Sequence, residues 1–163
     1  MVTFQLQAAN SVQQDEIKAL VRAARLNPLG IDWRRFVVVL DENGVVIGCG
    51  QLKPHGSGST SAHRPGSTSA HRPGSWELAS LVVAPAWRGQ GVARAVIEHL
   101  LDGSPRPLWL TCISSLAPFY TRFGFREVTT LSEMPPYFRR VSRLFRFLAC
   151  LSPANSLSVM RLE

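Results

Sequence analysis

The fold class that the sequence predicts is α/β, with helices packed on a mixed sheet. Two β-rich runs, residues 36–40 and 45–52, flank an Asp-Glu-Asn-Gly turn, which is typical of a β-hairpin. Helical periodicity precedes and follows them, and strands interleaved with helices favour an α/β sandwich. The chain has 163 residues, of which 45% are apolar, and this is enough for one domain with its own core.

The first half of the chain is predicted to hold a strand, a helix and the hairpin, in that order. Residues 3–8 alternate apolar and polar side chains, as a half-buried strand does. Ser11 and Gln14 form an S-x-x-Q capping box ahead of an amphipathic helix, which the Asn27-Pro28 pair ends. The apolar positions of this helix recur at helical spacing: Ile17, Leu20, Val21 and Ala24.

The second half continues the alternation of strands and helices. Gly124 is placed to cap a short helix, and the Pro135-Pro136 pair separates the last helix from what precedes it. The predicted strands span residues 76–83, 108–113, 125–131 and 156–162. One predicted helix follows the glycine turn near residue 90, and two more span residues 117–123 and 137–150.

A letter-for-letter duplication interrupts the chain between the third and fourth strands. The octapeptide GSTSAHRP occupies residues 58–65 and again 66–73. Its composition cannot bury a core, and two copies are too few for a solenoid. We therefore expect a flexible insertion at about residues 54–75 within a single domain, residues 1–163. Its histidines and arginines could contact a metal or a phosphate, although the composition favours a mobile linker: His63, Arg64, His71 and Arg72.

Charge and cysteine usage limit the class of protein. Lys and Arg number 18 against 11 Asp and Glu, and the net charge of +7 suits an acidic ligand, nucleic acid or anionic lipid. The chain contains no run of about 18 apolar residues, so no membrane span is indicated, and the N-terminus lacks the pattern of a secretory signal. Three scattered cysteines, Cys49, Cys112 and Cys150, are typical of buried, reduced thiols in a cytoplasmic protein. A catalytic thiol at Cys112 is the less favoured alternative.

The most informative segment is a strand, a basic glycine turn and a helix in immediate succession. The strand stops at Pro85, and after the turn an apolar stripe recurs at helical spacing up to Leu101. A helix start offers free backbone N–H groups and the positive end of the helix dipole, so the turn suits a pyrophosphate. The turn consists of Arg88, Gly89, Gln90 and Gly91.

Three features in order along the chain resemble the GCN5-related N-acetyltransferase (GNAT) family. The R-x-x-G-x-A spacing of Arg88, Gly91 and Ala93 is similar to the family's coenzyme A loop, Q/R-x-x-G-x-G/A, and differs from the dinucleotide and P-loop patterns. The LAPFYTRFGF segment, residues 116–125, resembles the family's second signature. Glu77 lies on the strand where many members carry an acidic residue.

The resemblance covers about residues 3–131 and implies both a fold and an activity. The fold is a mixed, mostly antiparallel central sheet of six to seven strands, flanked by helices on both faces. The activity is transfer of an acetyl group from acetyl-CoA, a cosubstrate, to a primary amine of a small molecule, such as an amino acid, or of a protein, with no metal. Because the sequence shows no Ser-His-Asp or Cys-His arrangement, direct transfer is favoured over a covalent acyl-enzyme.

The resemblance also assigns roles to residues. Tyr120 matches the tyrosine that donates to the departing sulfur, with a core-capping aromatic as the alternative. Glu77 is the candidate base for the substrate ammonium, with a solvent-facing strand glutamate as the alternative. A backbone N–H near residues 81–83 polarises the acetyl carbonyl, and Arg88 either adds charge or braces the loop. The acetyl-CoA contacts are expected at Leu81, Val82, Val83, Arg88, Gly89, Gln90, Gly91, Val92 and Ala93.

The basic, aromatic segment at residues 137–148 has three interpretations. Arg139, Arg143 and Arg146 share one face at helical spacing. An ordinary amphipathic helix with a solvated basic face is favoured over a guide for an anionic acceptor, such as an amino acid carboxylate. Contact with an anionic membrane or nucleic acid is the third interpretation.

Functions of two classes remain open at this point. An N-acetyltransferase is favoured over a non-catalytic CoA-binding or basic interaction module with the same fold. Nucleic-acid binding is not expected, because the chain lacks a basic-aromatic groove motif. A homodimer is compatible with this interpretation. The sequence does not specify the acceptor amine, although residues 110–125 are similar to acetyltransferases that act on small amino acids such as glutamate.

Overall fold

The computed structural model describes residues 3–56, 74–149 and 156–163. Strands, α-helices and short 3₁₀ turns alternate along these residues, and no helix among them is long and apolar enough to cross a membrane. In chain order the strands and α-helices are β1 (Gln5–Ala8), α1 (Gln14–Ala23), β2 (Phe36–Leu40), β3 (Val46–His55), β4 (Ser75–Val83), α2 (Val92–Leu101), β5 (Leu108–Ile113), α3 (Ala117–Thr121), β6 (Arg126–Glu127), α4 (Pro136–Ala149) and β7 (Leu157–Leu162).

One mixed sheet contains the strands, in the order β1-β2-β3-β4-β5-β7-β6. The pairs β1–β2, β2–β3, β5–β7 and β6–β7 are antiparallel. β4 pairs with β5 in parallel, and its ladder joins Trp76 to Leu108 and Glu77 to Trp109. The prediction of a mixed, mostly antiparallel sheet of six to seven strands is therefore confirmed.

The first of two compact units comprises the residues up to Lys53 together with Leu78–Ser104. α1 buries Ile17 and Val21 fully, because its apolar residues recur at helical spacing. These side chains pack with β2 and with Cys49 of β3 in one hydrophobic cluster. The periodicity read from the sequence thus identifies the buried face of this helix.

α2 lies on the other face of β3, where two glycines leave room for it. A Cβ atom on Gly48 would lie 2.6 Å from Val92 Cγ1, and one on Gly50 would lie 2.7 Å from Val96 Cγ1. The helix approaches the strand this closely only because both positions lack a side chain. Since successive strand residues face opposite sides, the glycines face α2 while Cys49 faces α1. Helices therefore cover both faces of this unit's part of the sheet.

The second compact unit comprises Pro54–Glu77 and Pro105–Glu163. Its core lies where α4 crosses β5 and β7. The ring of Phe138 stacks on that of Trp109 with 5.4 Å between centroids, and both pack with Val159. Large apolar side chains on the inward face of the helix thus hold α4 against the sheet.

The start of α1 differs from the predicted Ser11–Gln14 capping box. The box is formed by Asn10 and Gln13 instead: Asn10 N donates to Gln13 Oε1 at 3.0 Å, and the Asn10 side chain accepts from the backbone. Asparagine is as effective an N-cap as serine, so the sequence allows both registers. Gln14 is free for a tertiary contact, in which its Nε2 donates to Ile31 O at 2.9 Å.

The end of α1 comes before the predicted Asn27-Pro28 stop. The helix ends at Ala23, and Arg25 has a left-handed φ of 59°. Leu26 N donates back to Val21 O at 3.1 Å, which satisfies a carbonyl of the last turn. Because this conformation normally favours glycine, an arginine gives no sequence signal for it.

Two later elements are shorter than predicted. β6 covers Arg126–Glu127 rather than residues 125–131, because the chain turns into a 3₁₀ helix at Leu131–Glu133. α3 ends at Thr121 rather than residue 123, although Gly124, with φ of 89°, follows its end as predicted. The GSTSAHRP duplication and Cys150 lie outside the described residues. At the ends of the insertion predicted at about residues 54–75, β3 continues to His55 and β4 begins at Ser75.

Candidate active site

The glycine turn after β4 has the backbone that the sequence predicts. Gly89 and Gly91 have left-handed φ values of 76° and 86°, and Gly91 is the N-cap of α2. No atom lies within 4 Å of a Cβ placed on either glycine. Glycine is therefore needed here for the backbone conformation rather than for lack of space.

The turn combines an exposed backbone with a firmly anchored helix. Residues 88–91 are exposed, whereas Val92, the first residue of α2, is 1% exposed. Helix geometry leaves the amide groups of the first turn without an intrahelical acceptor, and no acidic residue occupies that turn. The amides and the helix dipole together attract an anion.

Side chains of the turn brace the turn itself. Arg88 Nε donates to Val83 O at 3.4 Å, and Gln90 Nε2 donates to Ala86 O at 2.8 Å. Of the two roles considered for Arg88, the described contacts correspond to bracing. Both side chains thus contact the backbone of the loop to which they belong.

Ser80 introduces a left-handed residue into the middle of β4, with φ of 53°. Its Oγ accepts a hydrogen bond from Gln51 Nε2 at 3.0 Å, and its carbonyl oxygen accepts one from Cys49 Sγ at 3.7 Å. A non-glycine residue in this conformation is strained and must be held by its surroundings. This irregular residue lies directly before the predicted carbonyl-polarising residues, and no sequence pattern indicates its conformation.

Glu77 is buried rather than solvent-facing. Its Oε2 lies 2.6 Å from His55 Nε2, and the two side chains are 7% and 11% exposed. Its Oε1 accepts a hydrogen bond from Thr111 Oγ1 at 3.2 Å. The alternative interpretation of an exposed strand glutamate is therefore wrong for this residue.

His55 is a candidate functional residue that sequence analysis missed. Its ring stacks on Tyr137 with 3.7 Å between centroids and meets Phe138 edge-on at 5.7 Å. Burial raises the pKa of Tyr137, and the nearby charge of Glu77 raises it further. Position 55 falls within the insertion predicted at about residues 54–75, and the partners of His55 come from distant parts of the chain, so no sequence pattern points to this residue.

Tyr120 is buried among aromatic rings on α3 and its flanks. Its ring meets Phe119 and Phe125 edge-on, with centroids 5.2 and 6.2 Å away. Burial raises the pKa of Tyr120 to about 12, and Cys112 adds to the effect. The phenol therefore remains a neutral donor at neutral pH.

Cys112 is a buried, free thiol. Burial and then the charge of Glu127 raise its pKa to about 11, and its Sγ donates to Met160 Sδ at 4.0 Å. A thiol is nucleophilic only when it loses its proton, so the interpretation of Cys112 as a catalytic thiol loses its support.

Glu77 and Tyr120 each interact with a residue of β5. Glu77 is hydrogen-bonded to Thr111, whereas Tyr120 interacts electrostatically with Cys112. The second unit thus contains both predicted catalytic side chains, and the glycine turn belongs to the first unit.

The basic face of α4 is divided between structural and exposed arginines. Arg139 Nε donates to Leu131 O at 3.0 Å, and its NH2 group donates to Met134 O at 3.1 Å. Arg140 and Arg143 are exposed. The favoured prediction of a solvated basic face therefore does not hold for Arg139.

Within the three described ranges, no cluster of His, Cys, Asp and Glu could hold a metal ion.

Comparison with known proteins connects this geometry to a family. The sequence matches the family model described as Acetyltransferase (GNAT) domain over residues 32–127. No match is found among curated proteins.

Several solved structures share the fold. N-acetylglutamate synthase from Neisseria gonorrhoeae, in complex with coenzyme A and N-acetyl-glutamate, has a TM-score of 0.66 at 18% identity, and the match covers 99% of this chain and 35% of that one. This chain thus spans about a third of the length of that synthase. Rv2747 from Mycobacterium tuberculosis, in complex with CoA and NLQ, has a TM-score of 0.64 at 22% identity, with 97% and 98% covered. Glucosamine-6-phosphate N-acetyltransferase from Arabidopsis thaliana has a TM-score of 0.56 at 14% identity, with 83% and 99% covered.

Proposed function

Since this chain belongs to the GNAT family of acetyltransferases, we propose that it is an acetyl-CoA-dependent N-acetyltransferase that transfers the acetyl group directly to a primary amine. The observation that carries the proposal is the exposed glycine turn at the start of α2, with Gly89 and Gly91 in left-handed conformations. A direct transfer is preferred because the buried Cys112 thiol has a raised pKa and is a poor nucleophile.

In this proposal the main chain of the turn binds the pyrophosphate of acetyl-CoA. The amides of the first turn of α2 lack intrahelical acceptors, and the neighbouring side chains of Arg88 and Gln90 brace the loop. The CoA complexes of two structural neighbours support this assignment. The proposed contact residues are Leu81, Val82, Val83, Arg88, Gly89, Gln90, Gly91, Val92 and Ala93.

The proposed reaction passes through direct attack of the amine on the thioester. The acceptor ammonium loses one proton to a base, and its nitrogen forms a bond to the acetyl carbon. A backbone N–H near Val82 stabilises the oxyanion. This position lies two residues after Ser80, whose left-handed backbone conformation is unusual within a strand. The carbon–sulfur bond then breaks, and the nitrogen loses its second proton. The products are the N-acetylated amine, CoA thiol and one proton.

Tyr120 and Glu77 supply the acid–base groups in this scheme. With a pKa of about 12, Tyr120 stays protonated, and full transfer of its proton to a thiolate of ordinary pKa near 8.5 is uphill by roughly 5 kcal/mol. Tyr120 therefore stabilises the departing thiolate by donating a hydrogen bond. Glu77 assists removal of the amine proton, and its burial excludes water from that step.

The acceptor is proposed to be a primary amine on a small molecule, with amino acids favoured over protein amines. The structural likeness to a synthase solved with N-acetyl-glutamate supports an amino acid. The exposed arginines Arg140 and Arg143 on α4 offer charge for an acceptor carboxylate.

Three further parts of the proposal concern the whole chain. The buried free thiols Cys49 and Cys112 suit a reducing compartment, so we place the protein in the cytoplasm. We also propose a single acetyltransferase domain with an insertion at about residues 54–75, and a homodimer as the assembly to be tested by sedimentation.

Release of CoA thiol from acetyl-CoA, measured across a panel of amines, tests the proposed function. We expect release with at least one amine, together with an equal amount of acetylated product. The alternative, a non-catalytic CoA-binding or basic interaction module, predicts binding of CoA but no product with any amine. Amino acids, polyamines, amino sugars and peptides with free N-termini form a suitable panel.

A further inference from the structure

The contacts of Glu77 with His55 and Thr111 engage both oxygens of its carboxylate. One oxygen faces the imidazole at 2.6 Å, and the other accepts from the Thr111 hydroxyl at 3.2 Å. A substrate ammonium that protonated Glu77 directly would have to reach an oxygen that already accepts one of these hydrogen bonds, on a side chain that is only 7% exposed. The group better placed to exchange a proton is therefore the imidazole.

The carboxylate determines which nitrogen of His55 is basic. An ionised carboxylate can only accept hydrogen bonds, so Nε2 of the neutral imidazole carries the hydrogen in this contact. The lone pair then lies on Nδ1, which points away from Glu77. No donor or acceptor from the described part of the chain contacts Nδ1.

Aromatic packing fixes the orientation of the imidazole. Tyr137 stacks almost parallel to it, with 17° between the planes, and Phe138 meets it edge-on. A side chain held by a hydrogen bond and by packing loses no further entropy when a substrate arrives. A histidine oriented by a carboxylate is the arrangement that supports general-base catalysis.

We propose that His55 Nδ1 accepts the proton from the acceptor ammonium, and that Glu77 is a positioning residue that holds the imidazole and stabilises its protonated form. This inference rests on the proposed N-acetyltransferase function. The step balances simply: the N–H bond of the ammonium breaks, an N–H bond forms at Nδ1, and the amine lone pair becomes free to attack the acetyl carbon. The imidazolium later returns the proton to solvent.

The charges around His55 are consistent with a proton-accepting role. Glu77 from β4 and Tyr137 from α4 are the titratable groups that contact its ring within the described residues. Tyr137 stays neutral because burial and Glu77 raise its pKa. Arg139 of α4 turns its guanidinium to the carbonyls of Leu131 and Met134. The negative charge of Glu77 is thus available to stabilise the imidazolium.

The pH dependence of kcat/KM in His55→Gln and Glu77→Gln separates the two candidate bases. The acceptor is an amine that the panel above identifies as a substrate, and calorimetry with acetyl-CoA checks that each variant is folded and binds. His99→Gln is the matched control, because it makes the same change at an exposed histidine of α2.

For His55→Gln we expect unchanged acetyl-CoA affinity, a fall in kcat/KM of about 10²- to 10⁴-fold, and loss of the acid limb of the wild-type profile. For Glu77→Gln we expect a smaller fall, with the acid limb retained, because the imidazole that accepts the proton is still present. His99→Gln should match the wild type.

Two results would overturn this assignment while leaving the proposed function intact. One is a His55→Gln enzyme with wild-type kcat/KM and an unchanged acid limb. The other is a Glu77→Gln enzyme without any acid limb, which would make the carboxylate itself the base and would decide the matter even if His55→Gln did not fold. A wild-type protein that releases no thiol with any amine would overturn both proposals together.

Discussion

At the scale of single residues, burial keeps the Tyr120 hydroxyl protonated, and this protonated hydroxyl is the proposed donor to the departing thiolate. Replacement by phenylalanine keeps the ring packing against Phe119 and Phe125 but removes the hydroxyl. We expect kcat for Tyr120→Phe to fall about 10- to 100-fold, since a hydrogen bond to a charged group contributes about 1.5–3 kcal/mol. Steady-state kinetics measures kcat, and calorimetry should show unchanged affinity for acetyl-CoA. A wild-type kcat would remove Tyr120 from the reaction.

The two described cysteines make stability sensitive to alkaline pH. Burial raises the pKa of Cys49 to about 12 and that of Cys112 to about 11, from an ordinary value of 9.0. Below pH 9 both thiols are protonated in the folded and in the unfolded chain, so they contribute nothing to the pH dependence of the unfolding free energy. Above it, the unfolded chain releases protons that the folded chain retains, so rising pH favours unfolding by about 1.4 kcal/mol per pH unit for each thiol.

Cys49→Ala provides the test of this pH dependence. Urea unfolding at pH 8 and pH 10 should show a loss of unfolding free energy in the wild type and a smaller loss in the variant. The comparison uses the difference between the two pH values, so any packing defect of the variant cancels. An equal loss in both proteins would show that Cys49 is not the group responsible.

At the scale of elements, Arg139 connects α4 to the turn that precedes it. Its guanidinium donates to three carbonyl groups, those of Leu131, Ser132 and Met134. Arg139→Ala should lower the free energy of unfolding by about 1.5–3 kcal/mol, because it leaves these carbonyls without a charged donor. Arg143→Ala, an exposed change on the same helix, should alter it by less than about 0.5 kcal/mol.

Chemical denaturation of both variants measures this difference. Equal effects at the two positions would mean that the hydrogen bonds of Arg139 contribute no more to the free energy of unfolding than the solvated side chain of Arg143 does. Either outcome also bears on function, because an arginine used for structure is unavailable to an anionic acceptor.

Element boundaries show where sequence reasoning succeeds and where it fails. Periodicity identified the buried face of α1, but its ends depended on a choice between Asn10 and Ser11 and on a left-handed Arg25, which sequence patterns do not reveal. The glycine turn before α2 was predictable, because positive φ selects glycine so strongly. The equally unusual Ser80 was not, because its conformation depends on tertiary contacts with β3.

For the whole molecule, the class of fold was predictable because the order of strands and helices determines it. Glu77 and Tyr120 were predicted as catalytic residues from their positions in family signatures, and their roles stay predictions. The contact with His55 was not predictable: it depends on a histidine at the end of β3 and on α4, which packs its aromatic residues over that histidine. Local patterns carry no information on such long-range contacts.

Calorimetric titration with acetyl-CoA tests the central claim, that the backbone of the turn before α2 binds the acyl carrier. Wild-type protein should bind one acetyl-CoA per chain, and Gly91→Val should weaken binding at least tenfold by disturbing the turn. Gly44→Val is the matched control, because Gly44 also has a positive φ with no atom within 4 Å of a Cβ but lies in the β2–β3 hairpin; it should bind as the wild type does. Folded wild-type protein that gives no heat at millimolar acetyl-CoA, or equal weakening by both variants, would contradict the account.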